Sequence, residues 1–428
     1  MSAFEKVIGY EAIKTELEQI LDMIRNPDLY ENFGAKKPKG LLIYGDAGLG
    51  KTLMAECFIE ESGLNSRILR MDKGDDFASS VTKVFNEAIE NAPSVILLDD
   101  MDKYANDGKD RSNAAAYVSV QAAIDKAKNS DVFVIATAND VNKLPESLIR
   151  PGRFDRKIEV QKPTGDDAAN IIRYYLSGKK LADDVNLDDV SKMMSYKSCA
   201  DLEMILNEAA IHAASRRKTT VEMSDIVHAT LRAKYCSPDD SIAVSHDERK
   251  KIALHEAGHL VVSEALCDGS VGLASLGASG KNPTGGFIHK CKDINSRRFT
   301  VAVSLAGKAA VELYHGETAA DGCMSDIAKA VYMLRDGICG NAMLGLELVD
   351  VTAKHTDEVS KNLNSRTEAV VQAELDRYFM KVRAILIKNR AFLEKAASDL
   401  AEKGTLLYSD IQKLKRDCGA VGVPLEYL

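Results

Sequence analysis

This chain has no apolar run of about 18 residues, the length a membrane-spanning helix needs. Its first residues, MSAFEKVIGYEAIKTELEQ, are charged where a secretory leader would be apolar. Neither a signal peptide nor direct membrane insertion is therefore expected. There is no excess of positive charge either: 56 Lys and Arg stand against 64 Asp and Glu, a formal net charge of −8. Such a balance argues against nucleic acid as a partner, because phosphate recognition normally needs a basic patch. The eight cysteines include no CxxC pair, so neither a disulfide framework nor a thiolate zinc knuckle is suggested, and a reducing, cytoplasmic setting fits. Low-complexity tracts and internal repeats are also missing, which leaves disordered architectures without support.

What is present is an ordinary globular composition, 45% hydrophobic and 28% charged over 428 residues, enough for two to four compact units. From Gly40 to Ile158 short β-rich runs (KGLLIYG, SRILRM, SVILLDD, DVFVIATAN, RKIEVQ) alternate with helical stretches at Lys51 to Ser62, Ser79 to Asn91 and Ala114 to Asn129. Alternation of this kind predicts an α/β core with a parallel sheet. Asp166 to Tyr235 reads as several helices, a small lid. CSPDDSIAVS at Cys236 to Ser245 has the composition of a linker, and Ser245 with Glu248 forms a candidate capping box for the next helix. The expected organisation is a nucleotide-binding α/β domain at 1–164, a helical lid at 165–238 and a mainly helical domain at 239–428. The last of these carries a Gly-rich insert with β potential, SVGLASLGASGKNPTGGFIHK. The final stretch, Thr352 to Leu428, reads as charged helix, a solvated packing face without chemistry.

Two motifs carry chemistry. In GDAGLGKT (Gly45, Asp46, Ala47, Gly48, Leu49, Gly50, Lys51, Thr52) the glycines let backbone N–H groups turn toward phosphate oxygens, and the helix that follows offers its positive N-terminal end. Lys51 would reach the β and γ phosphates of ATP and Thr52 would ligate Mg2+. A second apolar strand, VILLDD, ends in Asp99 and Asp100, suited to a magnesium partner beside a water-activating base. In HEAGH, His255 and His259 are four apart, so a helix turns both to one Zn2+ while Glu256 can act as general base. A catalytic zinc needs a third protein ligand. Residue chemistry alone leaves His289, His315, Glu317, Asp321, Cys323 and Asp326 as candidates.

These motifs, with VIGYEAIKTELEQILDMIRNP before the loop, ATAND at Ala136 to Asp140 and LIRPGRFDRKIEV at Leu148 to Val160, resemble the FtsH family of membrane-bound ATP-dependent zinc metalloproteases. The resemblance implies an AAA+ ATPase core with its lid, followed by a helical zinc metallopeptidase domain. It makes Asn139 the sensor that positions the attacking water, and Arg150 and Arg153 arginine fingers acting on a neighbour's γ-phosphate. Cations supplied in trans make hydrolysis depend on assembly, hence a homo-oligomeric ring, most simply a hexamer. HGETAADGCMSDIAKAV resembles the family segment whose helical aspartate completes the zinc site, which selects Asp326. VSLAGKAAVELYHGE resembles the family's Gly-Ala-rich helix, with Val311 where an acid is usual. The resemblance covers most of residues 4 to 340 and does not extend to a membrane-anchored N-terminus.

Three departures bear on function. Asp100 stands where the family has glutamate, and a carboxylate withdrawn by about an ångström can slow a reaction on the order of a hundredfold. The loop after the second strand, MDKGDDFASSV, is short and acidic, with Phe77 as its one aromatic, either a pore residue or a core residue. The membrane segments are missing, which implies a soluble relative or one recruited by a partner. The expected activity is ATP-dependent cleavage of protein or peptide substrates. The alternatives are an ATP-driven remodelling or scaffold protein, in which the peptidase half contributes assembly, and a nucleotide-gated peptidase that does not translocate.

Overall fold

A computed structural model describes residues 2–70, 77–104, 112–235, 245–276, 285–316, 323–341 and 361–428. The chain divides into two compact units, Met1–Gly178 with Tyr196–Met204, and Lys179–Ser195 with Ile205–Leu428.

In the first unit the strands β1 (Gly40–Tyr44), β2 (Asn65–Leu69), β3 (Ser94–Leu98), β4 (Val132–Ala138) and β5 (Arg156–Glu159) form one parallel sheet in the order β2-β3-β4-β1-β5. The three inner strands, GLLIY, SVILL and VFVIATA, are near-continuous apolar runs because helices cover both faces of such a sheet. At one edge, NSRIL of β2 is largely partly exposed, as a strand paired on one side can be. The helix Phe77–Glu90 buries Val81, Phe85 and Ala88 at helical spacing against that sheet. Phe77 packs edge-to-face on the buried Tyr104 at 4.7 Å between ring centroids, so it serves the core. The rest of its loop, 71–76, lies outside the described residues.

The helices Gly165–Ser177, Leu187–Met193, Cys199–Ser215 and Met223–Tyr235 occupy the span read as a lid. Most of the linker, 236–244, lies outside the described residues. Ser245 does cap the helix His246–Leu266, its hydroxyl accepting from the Glu248 N–H at 3.2 Å.

In the second unit the helix His246–Leu266 is central. It packs on Arg297–His315 and Arg390–Lys403, with Met324–Asn341, Lys361–Lys388 and Tyr408–Asp417 completing the shell. A three-stranded antiparallel sheet, β6 (Val271–Ser275), β7 (Phe287–Lys290) and β8 (Thr405–Leu407), runs in the order β7-β6-β8. The Gly-rich insert thus supplies two strands, and its middle, 277–284, lies outside the described residues. The third strand comes from the C-terminal stretch, which reads as helix throughout in sequence. That stretch also corrects the expectation of a solvated face: Phe392, Leu393, Ala396 and Leu400 are buried in the core around the central helix. Lys415 and Gln412 bond the fully buried Glu264 carboxylate at 2.8 and 3.1 Å, beside the Gly269 and Val271 N–H groups. A buried charge is tolerable only when paired in this way.

Candidate functional site

The loop Gly45 to Gly50 joins β1 to the helix Lys51–Ser62. Gly45 has no alternative: its φ is 141°, and a Cβ there would lie 2.1 Å from the Val160 carbonyl oxygen. Gly50, at φ 85°, turns the chain in the left-handed region directly into the helix. The buried Lys51 donates to the Asp46 carbonyl at 2.7 Å and to Asn139 Oδ1 at 2.8 Å. Burial lowers the Lys51 pKa, while Asp100, Asp102, Asp46 and Asp99 act to raise it. Thr52 Oγ1 donates to Asp99 Oδ1 at 2.9 Å. The fold therefore brings Lys51, Thr52, Asp99 and Asn139 to one place, the crevice beyond the carboxyl ends of the parallel strands, where α/β sheets bind ligands.

Three neighbours were missed. Thr137 donates to Asp99 Oδ1 at 2.7 Å and accepts from the Asp100 N–H at 2.8 Å, Arg70 Nε donates to Asp99 Oδ2 at 2.9 Å, and Asp102 accepts from the Asn139 N–H at 2.8 Å. Asp102 was visible as the third acid in DDMD; Thr137 and Arg70 carry no sequence signal. Asp100 sits at φ 52°, in the left-handed region unusual for a side-chain-bearing residue, with its carboxylate between Lys103 Nζ (2.5 Å) and Asn139 Nδ2 (3.3 Å). The donors and the carboxylate-hydroxyl pair match what ATP and Mg2+ require.

The two arginines have different surroundings. Arg150 is exposed. Arg153 is 6% exposed, and its guanidinium forks onto Asp125 (Nη2 to Oδ2 2.6 Å, Nε to Oδ1 3.2 Å) while Nη1 donates to the Ser147 carbonyl. That hydrogen-bonded guanidinium holds the Asp125 carboxyl below its ordinary pKa.

In the second unit His255 and His259 project from successive turns of His246–Leu266, and Asp326 comes from the first turn of Met324–Asn341. His255 Nε2 and His259 Nε2 are 3.0 Å apart, and each is 3.2 Å from Asp326 Oδ2. His259 Nδ1 donates to the Val303 carbonyl at 2.6 Å, which leaves its Nε2 as a bare acceptor. Acceptor atoms facing one another this closely call for a cation between them. Bonds of about 2.0–2.1 Å to a tetrahedral zinc imply ligand-to-ligand edges of about 3.3 Å, close to the three measured here. Burial favours the neutral form of Asp326, but when no metal is bound hydrogen bonds and charge from protonated His255 and His259 hold its carboxyl below the usual range, and a cation between the three would take the place of those protons. His, His and Asp at this spacing thus fit Zn2+.

Of the other candidate ligands, Glu317 and Asp321 lie outside the described residues, His289 is on β7 and His315 ends its helix. Cys323 is buried with Sγ 3.7 Å from His255 Nδ1, on the ring's far side from Nε2, and so braces the ligand rather than joining it. Glu256 is 5% exposed; burial raises its pKa, against the pull of His259 and His255, and the Gly286 N–H donates to it.

Close packing makes the site narrow. Gly258 lets two helix backbones touch, since a Cβ there would lie 2.5 Å from the Ala306 carbonyl oxygen. Gly307 faces the His255 ring, with only 2.4 Å from an added Cβ to Cε1. Gly307→Ala should favour the isolated helix by about 1 kcal/mol, yet the expected result is a folded protein that binds zinc substoichiometrically because the ring is displaced. Full zinc occupancy by elemental analysis, alongside a native circular dichroism spectrum, would refute this.

The fold and the two sites define a class: an AAA+ ATPase joined to a zinc metallopeptidase. Residues 41–162 match the ATPase family associated with various cellular activities (AAA), 184–228 the AAA+ lid domain, and 242–414 peptidase family M41. The chain is 31% identical to ATP-dependent zinc metalloprotease FtsH 2 of Symbiobacterium thermophilum, over 96% of this chain and 74% of that protein. It is 29% identical to FtsH 3 of Synechocystis sp. over 96% and 72%, and 28% identical to FtsH of Caldicellulosiruptor bescii over 96% and 71%. The chain belongs to the FtsH-type family of ATP-dependent zinc metalloproteases, with ATP, Mg2+ and Zn2+ as its cofactors. Among the described residues no helix is long and apolar enough to cross a membrane.

Proposed function

We propose that this protein works in the cytoplasm as a homohexameric ring that unfolds or admits protein substrates with ATP and cleaves them at the His255–His259–Asp326 centre, with neither nucleic acid nor membrane insertion involved. In this reading residues 1–164 bind nucleotide, 165–238 form the lid and 239–428 carry the peptidase. Lys51 and the loop N–H groups from Gly45 to Gly50 hold the phosphates, Thr52 and Asp99 hold Mg2+, and Asp100 with Asn139 orients the attacking water. Arg150 reaches the neighbouring subunit's γ-phosphate; Arg153, bound to Asp125 within its own chain, sets the geometry of the segment that presents Arg150.

His255, His259 and Asp326 hold Zn2+, which when bound supplies a Lewis acid for a peptide carbonyl and for water. Glu256 takes a proton from the attacking water and delivers it to the leaving amine. Its burial suits that task, because a carboxylate with a raised pKa is a stronger base. The observation that carries the reading is the convergence of three acceptor atoms within 3.0–3.2 Å beside this buried carboxylate.

The test is degradation of an unfolded fluorescent casein by the zinc-loaded protein, with and without ATP, beside Lys51→Ala. ATP-stimulated cleavage that disappears in Lys51→Ala is the expected outcome. Cleavage indifferent to both would leave a nucleotide-independent peptidase, and ATP turnover without cleavage would turn the assignment to remodelling.

A further inference from the structure

The turn that follows β3 grips its acid from two sides. Asp100 adopts φ 52°, a left-handed backbone that is costly for a residue with a side chain and persists only where neighbours fix it. Two bonds to its main chain do so: the N–H donates to Thr137 Oγ1 at 2.8 Å, and the carbonyl accepts from the Lys103 N–H at 2.9 Å. Side chains close the same turn a second time, with Lys103 Nζ donating to Asp100 Oδ2 at 2.5 Å. The other oxygen, Oδ1, accepts from Asn139 Nδ2 at the looser distance of 3.3 Å, and Asn139 Oδ1 in turn accepts from Lys51 Nζ at 2.8 Å. Oδ2 is therefore held by an exposed cation, while Oδ1 is turned toward the lysine of the phosphate loop.

With one oxygen anchored and the other directed to the phosphates, only one atom of this short carboxylate can serve the attacking water. We propose that Lys103 is a positioning residue for ATP hydrolysis: it anchors Asp100 Oδ2 and so aims Oδ1 at the water. An aspartate has one methylene fewer than a glutamate with which to reach, so its aim must come from a neighbour, and a misplacement of about 1 Å can cost about a hundredfold in rate. In the step served, water gives a proton to Oδ1 and its oxygen bonds to the γ-phosphorus. The bond from that phosphorus to the β-bridging oxygen breaks and releases ADP. Lys103 keeps its proton throughout. The two side chains are 64% and 37% exposed, so their contact adds little to the stability of the fold. Its contribution is to orientation. The inference rests on the reading of Asp100 as the group that orients and activates the attacking water.

The test is steady-state ATP turnover by the full-length protein, with ATP affinity, ring size by light scattering and melting temperature read on the same samples. Lys103→Ala and Lys103→Met should each lower kcat for ATP about tenfold, with affinity, ring size and melting temperature unchanged. Lys103→Arg, whose guanidinium still bonds a carboxylate, should recover most of the loss. Salt screens an exposed pair, so raised salt should bring kcat of the unaltered protein down toward that of Lys103→Ala, while the variant itself responds less. Asp100→Asn separates the proposal from the reading beneath it. If Asp100→Asn abolishes turnover and Lys103→Ala leaves kcat unchanged, the acid acts without being aimed by Lys103, and the proposal alone is overturned. If Asp100→Asn leaves turnover within tenfold, the acid does not serve the water and both fall. A Lys103→Ala protein that turns over faster, or that loses turnover only through weaker ATP binding, a smaller ring or a lower melting temperature, would also overturn the proposal.

Discussion

Glu256→Gln is expected to lower peptide cleavage by about 10²- to 10⁴-fold while the protein keeps its zinc. The amide has the shape of the carboxylate and can still accept from the Gly286 N–H, but it has no basic oxygen with which to take a proton from water. Stability should not fall. Glu256 is 5% exposed and its pKa is raised by burial, so a neutral isostere removes a desolvated charge instead of leaving a partner stranded. Three measurements separate the causes: kcat on a quenched peptide, zinc by elemental analysis, and the melting temperature. Retained zinc and an equal or higher melting temperature, together with lost turnover, identify a missing base. Cleavage within tenfold of the unaltered protein would sink the mechanism.

Arg150→Ala should cost ATP turnover about 10³-fold or more, the range seen when an arginine that stabilises the transferring phosphoryl group is withdrawn. Nucleotide binding should persist, because Lys51 and the loop lie elsewhere in the same chain. Arg153→Ala acts by another route. It leaves the Ser147 carbonyl and the Asp125 carboxylate without their guanidinium, and the expected signature is a destabilised nucleotide-binding unit, by about 1–3 kcal/mol, with turnover reduced as a consequence. Mixing tests the action in trans. Arg150→Ala subunits keep an intact loop and Lys51→Ala subunits keep an intact Arg150, so mixed rings should regain turnover that neither variant shows alone. No recovery on mixing would mean that Arg150 serves its own subunit.

Both phosphate and zinc chemistry were legible in sequence because each motif is local. A glycine loop between strand and helix presents its N–H groups whatever surrounds it, and residues four apart on a helix face one way. The five strands of the parallel sheet were legible too, since runs such as SVILL and VFVIATA are apolar throughout. β8 was not: three residues inside a helical stretch have no periodicity of their own, and they form a strand only because β6 offers an edge.

Local pattern thus settled the enzymatic class, two nucleotide- and metal-binding motifs in a fixed order, and the α/β character of the first half. Tertiary structure decided everything that depends on residues meeting across distance. It assembled Thr137, Arg70 and Asp102 around Asp99 and Asn139, brought Asp326 to two histidines on another helix, and packed Phe77 on Tyr104. It also buried Arg153 three residues from an exposed Arg150. Charge and residue type are properties of the chain; burial and the identity of a partner arise only when segments far apart in sequence exclude water from one another.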